Sequence, residues 1–145
     1  MEDGLTDELA RAITELCDRG DDDIENGRLD DAIAKYKDAL GMLPEPRLAW
    51  RASTWILTAL GEAHLAKGDP ASAREALFEA VRSESGSGNA LVHLRLGQAE
   101  LGIGEPGKAK DELYRAFERG GLAIFEGEDP ALFALIEPLL PDDAR

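Results

Sequence analysis

Two short stretches of this sequence contain residue types whose spacing could do chemistry. The first, GIGEPG at residues 102–107, has the G-x-G-x-x-G spacing that holds a pyrophosphate at the start of a helix. That motif requires a preceding β-strand. The residues before Gly102 have helical periodicity instead, and the segment aligns with AKGDPA at residues 66–71. We therefore interpret GIGEPG as a turn between two helices.

The second stretch is the acidic run DRGDDDIENGRLDD at residues 18–31, which has the composition of a calcium loop. An EF-hand loop needs Gly at its sixth position and Glu at its twelfth. Counted from Asp21, these positions hold Asn26 and Ala32, and counting from Asp22 places Ile24 at a ligand position. The run therefore predicts a solvated acidic helix face.

The two histidines and the single cysteine do not form a catalytic or metal-binding constellation. His93 has Gly97 four residues later, so the helical ligand pair is incomplete, and we expect His64 to pack inside a helical hairpin. Cys17 has no neighbouring His and orienting acid to activate it as a nucleophile. A lone cysteine also indicates a reducing compartment, so the cytoplasm is the expected location. We expect no enzymatic activity, no metal and no cofactor.

The net charge of −14 over 145 residues is unevenly distributed. Residues 1–31 carry twelve acidic residues and three arginines, whereas residues 32–125 carry twelve charges of each sign. Nucleic-acid binding needs a concentrated basic face, so we expect no nucleic-acid partner. No apolar run reaches the roughly 20 residues that span a bilayer, and we expect no membrane partner. An acidic surface can instead steer a basic protein, or simply keep the chain soluble.

A set of small and apolar residues recurs with an offset of 36 residues. The first set is Gly61, Ala63, Leu65, Gly68, Pro70, Ala73, Leu77 and Ala80, and the second is Gly97, Ala99, Leu101, Gly104, Pro106, Ala109, Leu113 and Ala116. A fainter copy upstream has Gly20, Gly27, Ala32, Tyr36 and Ala39, followed by Pro44. None of these residues is a nucleophile, acid or metal ligand. The recurrence therefore predicts a packing unit rather than a chemical site.

Each copy has the pattern of two helices joined by a short turn. In the middle copy, Gly68 is suited to end the first helix in a left-handed conformation, and Asp69 and Pro70 are suited to begin the second. Glu105 occupies the cap position of the last copy, although Glu is a weaker cap. Asp30 is the candidate cap in the first copy.

These residues resemble the tetratricopeptide repeat, a helical hairpin of about 34 residues. The resemblance rests on the pairs Leu60–Gly61 and Leu96–Gly97 and on the pattern Ala, Leu or Tyr, Ala in each second helix. It implies an all-α, right-handed superhelix of three hairpins in a single domain over residues 1–145. The hairpins are predicted at residues 13–46, 54–87 and 90–123. The sequence departs from the family where an aromatic is usual: these positions hold Asp23, His64 and Glu100.

The segment DPALFALIEPLLP predicts a helix over residues 129–140 that covers the apolar end of the stack. Asp129 is its expected cap, Pro130 its first residue, and Pro138 should disturb its end. Its apolar surface consists of Leu132, Phe133, Leu135, Ile136, Leu139 and Leu140.

The resemblance also implies a concave groove, lined by the first helix of each hairpin, that binds a protein or peptide. The positions carried over to this groove are Thr14, Cys17, Asp21, Ile24 and Glu25, then Trp55, Thr58, Glu62 and Leu65, then Leu91, Leu94, Arg95, Gln98 and Leu101. Arg95 is the nearest candidate for the basic clamp with which some members hold a peptide carboxylate. Since carboxylates and apolar side chains prevail, we expect a basic, partly apolar partner. Trp55 could either anchor that partner or pack within the chain.

Two alternative functions remain open at this point. The segment IFEGEDPALF at residues 124–133, together with three repeats, resembles small bacterial proteins associated with polymorphic-toxin immunity. The apolar ends of the stack could instead make the chain a self-associating scaffold, and the sequence leaves the oligomeric state open.

Overall fold

The computed structural model describes residues 4–144, and this part of the chain contains seven α-helices and no β-strand. The helices are α1 (Asp7–Glu25), α2 (Leu29–Gly41), α3 (Arg51–Ala66), α4 (Pro70–Arg82), α5 (Ala90–Gly102), α6 (Pro106–Gly120) and α7 (Pro130–Ile136). Helices α1–α2, α3–α4 and α5–α6 form three hairpins, and α2 packs on α3 as α4 packs on α5. The predicted all-α, right-handed superhelix is confirmed.

The same glycine turn joins the two helices of every hairpin. Gly27, Gly68 and Gly104 follow the first helices with φ angles of 74°, 81° and 83°. Only glycine adopts this left-handed conformation without a steric cost, so each first helix ends at an equivalent point. The predicted termination of the middle hairpin's first helix near Gly68 is confirmed.

The residue directly after that glycine occupies the N-cap position of each second helix. The Asp69 carboxylate accepts a hydrogen bond of 3.1 Å from the Ser72 amide, and Pro70 is the first helical residue, as predicted. Glu105 occupies the same position without making a side-chain cap. The prediction for Asp30 is wrong, because the N-cap position of α2 is Arg28, which follows Gly27 and makes no side-chain capping hydrogen bond.

Close contact between the helices of each hairpin explains the recurring small residues. A Cβ atom on Gly61 would lie 2.5 Å from Cγ of Leu77, and one on Gly97 would lie 2.8 Å from Cγ of Leu113. Gly20 faces Tyr36 in the same way. The glycine therefore allows the bulky side chain of the second helix to lie directly on the backbone of the first.

The C-terminal segment packs on the third hairpin. Asp129 caps α7 through the Ala131 amide at 2.9 Å, and Pro130 is its first residue, as predicted. Leu132, Ile136 and Leu140 are buried, whereas Leu139 is 54% exposed. The regular helix ends at Ile136, where Glu137–Leu139 continue as a 3₁₀ turn. It is shorter than the predicted 129–140, because Pro138 lacks an N–H to donate.

The first helix begins earlier in the chain than the predicted first repeat. Helix α1 begins at Asp7, whereas that repeat was expected from residue 13. The repeat boundaries and the single-domain assignment stay predictions.

Replacing Gly61 by Ala should destabilise the fold by about 1–3 kcal/mol, because the new methyl group overlaps Leu77. Gly107→Ala is the matched control, since a Cβ there has no atom within 4 Å and lies in α6. The control should lose nothing and can gain up to about 1 kcal/mol from helix propensity. Urea denaturation measures both, and equal stabilities for the two variants would contradict the packing argument.

Candidate functional site

The predicted groove helices bring two carboxylates and a tyrosine together. The Tyr36 hydroxyl, from α2, donates a hydrogen bond of 2.6 Å to the Asp21 carboxylate on α1. Burial raises the pKa of Tyr36, and the hydrogen bond to Asp21 and the nearby charge of Glu62 raise it further. Asp21 and Glu62 therefore act on the same hydroxyl although they lie in different hairpins. The prediction missed Tyr36, whose position in the repeat indicated packing alone.

Trp55 lies on α3 with 43% of its surface exposed, one of the most exposed large apolar side chains of the described residues. Glu62 is two turns further along the same helix and 39% exposed at its side chain. Glu25 is exposed at the end of α1. Trp50 packs against the core and donates its indole N–H to the Pro44 carbonyl at 2.7 Å.

Arg95 joins α3, α5 and the C-terminal segment through one guanidinium group. Its Nη atoms lie 2.5 and 3.1 Å from the two oxygens of Glu128, and its Nε lies 2.9 Å from Glu62. A fourth hydrogen bond of 3.1 Å goes to Gln98. Burial lowers the pKa of Arg95, but these carboxylate contacts outweigh that effect and raise it overall. The one basic group predicted in the groove is thus already paired.

Several of the predicted groove residues lie beneath the surface. Leu94 is fully buried against Leu132 and Ile136 of the C-terminal segment. Thr58 is also buried, and its hydroxyl donates to the Thr54 carbonyl at 2.6 Å. These two residues were expected to face a partner and do not, because α7 covers the first and the backbone of α3 binds the second.

The other predicted positions differ in accessibility. Asp21 and Glu25 are exposed, and Cys17 is buried. Half-buried positions are Thr14, Ile24, Leu65, Leu91, Gln98 and Leu101. Burial raises the pKa of Cys17 to about 12, so its thiol is unreactive at neutral pH.

A cavity of about 300 Å³ lies where α3, α5 and the C-terminal segment meet. Leu65, Gln98 and Leu101 line it, as do Asp129 and Leu132. The first three were predicted for the groove, whereas the last two were assigned only to capping. The C-terminal segment thus lines the same cavity as three of the predicted groove residues, which no sequence signal indicated.

Two family models, each described as tetratricopeptide repeat, match residues 23–87 and 58–123. The chain belongs to the tetratricopeptide repeat family. A comparison with curated protein sequences found no match.

Solved structures, among them two tetratricopeptide repeat (TPR) domains and a type III secretion chaperone, share this fold. The first TPR domain of Spaghetti (RPAP3), bound to the HSP90 peptide SRMEEVD, is 18% identical with a TM-score of 0.70, and the alignment covers 89% of this chain and 94% of that one. The Yersinia enterocolitica type III secretion chaperone SycD, in complex with a peptide of the translocator YopD, is 14% identical with a TM-score of 0.71 and coverages of 95% and 96%. The second TPR domain of human RPAP3, in complex with the HSP70 peptide SGPTIEEVD, is 14% identical with a TM-score of 0.68 and coverages of 90% and 97%. At these identities the likeness establishes the fold alone.

The TPR position that usually holds an aromatic contains a buried titratable residue in all three repeats. Asp23 pairs with Lys35 and Arg28, and the Lys35 hydrogen bond in particular lowers its pKa. Asp23 thus departs from the predicted solvated acidic face. Burial lowers the pKa of His64 and raises that of Glu100, and the nearby charge of Glu112 raises the latter further.

The features that suggested chemistry have structural roles. GIGEPG forms the turn from α5 to α6, preceded by a helix as predicted. His93 contacts Glu112 at 2.6 Å and the Ser87 carbonyl at 2.7 Å. Between residues 4 and 144, no group of three or more His, Cys, Asp and Glu side chains could hold a metal ion. Nor is any helix in that range long and apolar enough to cross a membrane.

Replacing Arg95 by Ala should loosen the C-terminal segment, because Glu128 and Glu62 both lose their counter-charge. Amide hydrogen exchange in α7 should accelerate roughly 30-fold, which corresponds to about 2 kcal/mol for charged hydrogen bonds. Arg19→Ala is the control, since its ion pair with Glu15 is 62% and 66% exposed and worth little. Unchanged exchange in α7 would show that apolar packing alone holds the segment.

Glu100→Gln should stabilise the fold at neutral pH by about 1 kcal/mol, the low end for relieving a buried polar group without a partner. Because the pKa of Glu100 is raised above its ordinary 4.5, the stability it contributes is present below about pH 4.5 and lost as pH rises through the folded-state value. The gain should therefore vanish near pH 4 and appear near pH 7. Denaturation at both pH values, with the exposed Glu118→Gln as control, measures this; an equal gain at both would contradict it.

Proposed function

We propose that this TPR chain is a non-catalytic interaction module that binds a basic, partly apolar peptide or protein segment in the groove lined by α1, α3 and α5. The observation that carries the proposal is an exposed Trp55 on α3, together with the exposed carboxylates of Asp21 and Glu25 on α1. An exposed aromatic provides apolar contact area, and the carboxylates provide complementarity to Lys or Arg. The RPAP3 domains and SycD, which share the fold, are each bound to a peptide.

The pairing of Arg95 argues against an acidic ligand. The HSP90 peptide on RPAP3 ends in EEVD, and recognition of such a peptide requires free cations. Here the guanidinium of Arg95 already contacts Glu62 and Glu128. An acidic peptide would have to displace Glu128 while approaching a chain of net charge −14. A basic segment would not have to displace Glu128, and the net negative charge would attract it.

The cavity near the C-terminal segment supports the partly apolar character of the partner. It lies within one helical turn of Glu62, since Leu65 borders it, and Gln98 on its wall contacts Arg95. A volume of about 300 Å³ accommodates one large aliphatic or aromatic side chain. A partner with an apolar residue a short distance from its cations therefore fits this half of the groove.

The two alternative functions stay predictions with distinct tests. An immunity protein that masks a basic toxin would use the same acidic surface, so co-expression with a neighbouring toxin gene should relieve toxicity. A self-associating scaffold should show a concentration-dependent size in gel filtration. Neither nucleic acid nor membrane suits the acidic surface, and we propose the cytoplasm as the location because Cys17 is a buried free thiol.

Selection from a random peptide display library tests the proposal, because such a library offers basic, acidic and apolar ligands to the groove at once. Enriched peptides should carry Lys or Arg near a large apolar residue, and binding should weaken from about 50 to about 500 mM salt. Trp55→Ala and Glu25→Lys should each weaken binding at least tenfold, which corresponds to about 1.4 kcal/mol.

The matched controls lie outside the groove. Phe78→Ala removes another exposed aromatic, 49% accessible on α4, and Glu118→Lys reverses an exposed charge on α6. Both should leave binding unchanged. Enrichment of acidic peptides, or equal effects of the groove and control variants, would overturn the proposal.

A further inference from the structure

A second cleft lies on the side of the second helices, away from the groove lined by α1, α3 and α5. Its volume is about 310 Å³, at the lower end of the roughly 300–1,000 Å³ of small-molecule sites. Helices α2, α3 and α4 and the 3₁₀ turn Arg47–Ala49 border it. Apolar side chains of Leu40, Leu57 and Leu60 contribute to its lining, together with Ala76.

The cations and the carboxylates around this cleft lie on different secondary-structure elements. Lys37 on α2 and Arg47 on the 3₁₀ turn provide two cations, whereas Glu75 and Glu79 on α4 provide two carboxylates. Only Arg47 and Glu79 pair, at 3.7 Å. Within residues 4–144, neither Lys37 nor Glu75 has an ion-pair partner. The cleft therefore offers one free charge of each sign on its two sides.

Two buried polar atoms on residues bordering the cleft have no hydrogen-bond partner among the described residues. They are Nδ1 of His64 and Nε of Arg47. His64 is only 9% exposed, and leaving a buried polar atom unpaired costs free energy. The equivalent residue of the first repeat, Asp23, is paired by Lys35 and Arg28. The repeat can therefore satisfy a polar group at this position, and the second repeat does not.

We propose that this cleft binds a small zwitterion with an apolar body, such as a free aliphatic amino acid. The ligand's carboxylate faces Lys37 and the Nε–H of Arg47, and its ammonium group faces Glu75. Its side chain lies on Leu57 and Leu60, and His64 provides a further hydrogen bond. Neither a simple anion nor a simple cation satisfies both sides of the cleft, so a ligand with both charges is favoured.

Titration of L-leucine into the chain with isotope-labelled histidine tests this site directly. The ring nitrogen signals of His64 should shift with a dissociation constant on the order of 1 mM. Those of His93 should not, because both of its ring nitrogens already have partners. Isoamylamine lacks the carboxylate and isocaproate lacks the ammonium group, and each should bind at least tenfold more weakly.

Substitutions distinguish leucine binding in the cleft from peptide binding in the groove. Glu75→Gln and Lys37→Gln change residues on the rim and should each weaken leucine binding at least tenfold, whereas Glu118→Gln and Trp55→Ala should not. Four results would overturn the proposal: no shift of His64 up to about 50 mM leucine, equal shifts of both histidines, equal binding of the singly charged compounds, or binding that is unaffected by Glu75→Gln.

Discussion

The fold depends on one close contact, repeated in each hairpin, between a glycine of the first helix and a bulky side chain of the second. Tyr36, Leu77 and Leu113 each lie on a glycine, so the two helices approach too closely for any Cβ at that point. Within each hairpin, the first helix is thereby held against the second at an equivalent point. The acidic residues of α1 and the tryptophan of α3 therefore lie on helices that are positioned in the same way within their hairpins.

The charge of the groove depends on a few ion pairs and hydrogen bonds within the chain. Arg95 forms ion pairs with both Glu62 and Glu128, while the Tyr36 hydroxyl donates a hydrogen bond to Asp21. The remaining free charge on the groove side is acidic and lies mainly on α1. A surface with one exposed aromatic and several carboxylates favours cations with an apolar neighbour, which is the partner chemistry proposed here.

The three repeats share their packing residues and differ at the position where the family usually has an aromatic. Asp23 is neutralised by two cations, His64 borders a cleft, and Glu100 is buried with one oxygen unpaired. An aromatic would contribute apolar contact area at each site. The polar residues do not provide that stabilisation. At the cleft, the Nδ1 atom of His64 remains without a hydrogen-bond partner among the described residues. Differences between copies, rather than the recurring residues, therefore mark where the chain can be specific.

The sequence alone determined the repeat, the three hairpins and most turn chemistry, because glycine turns, proline starts and helical periodicity act over a few residues. It also predicted that Asp21, Trp55, Glu62 and Arg95 share one face, since a repeat fixes the position of each residue in its helix. Only the tertiary structure decided that Arg95 pairs with Glu128, that Leu94 is buried and that the C-terminal segment lines a cavity with Leu65, Gln98 and Leu101. These outcomes depend on contacts between residues more than 30 apart in sequence, whose geometry is set by how the hairpins and α7 pack together.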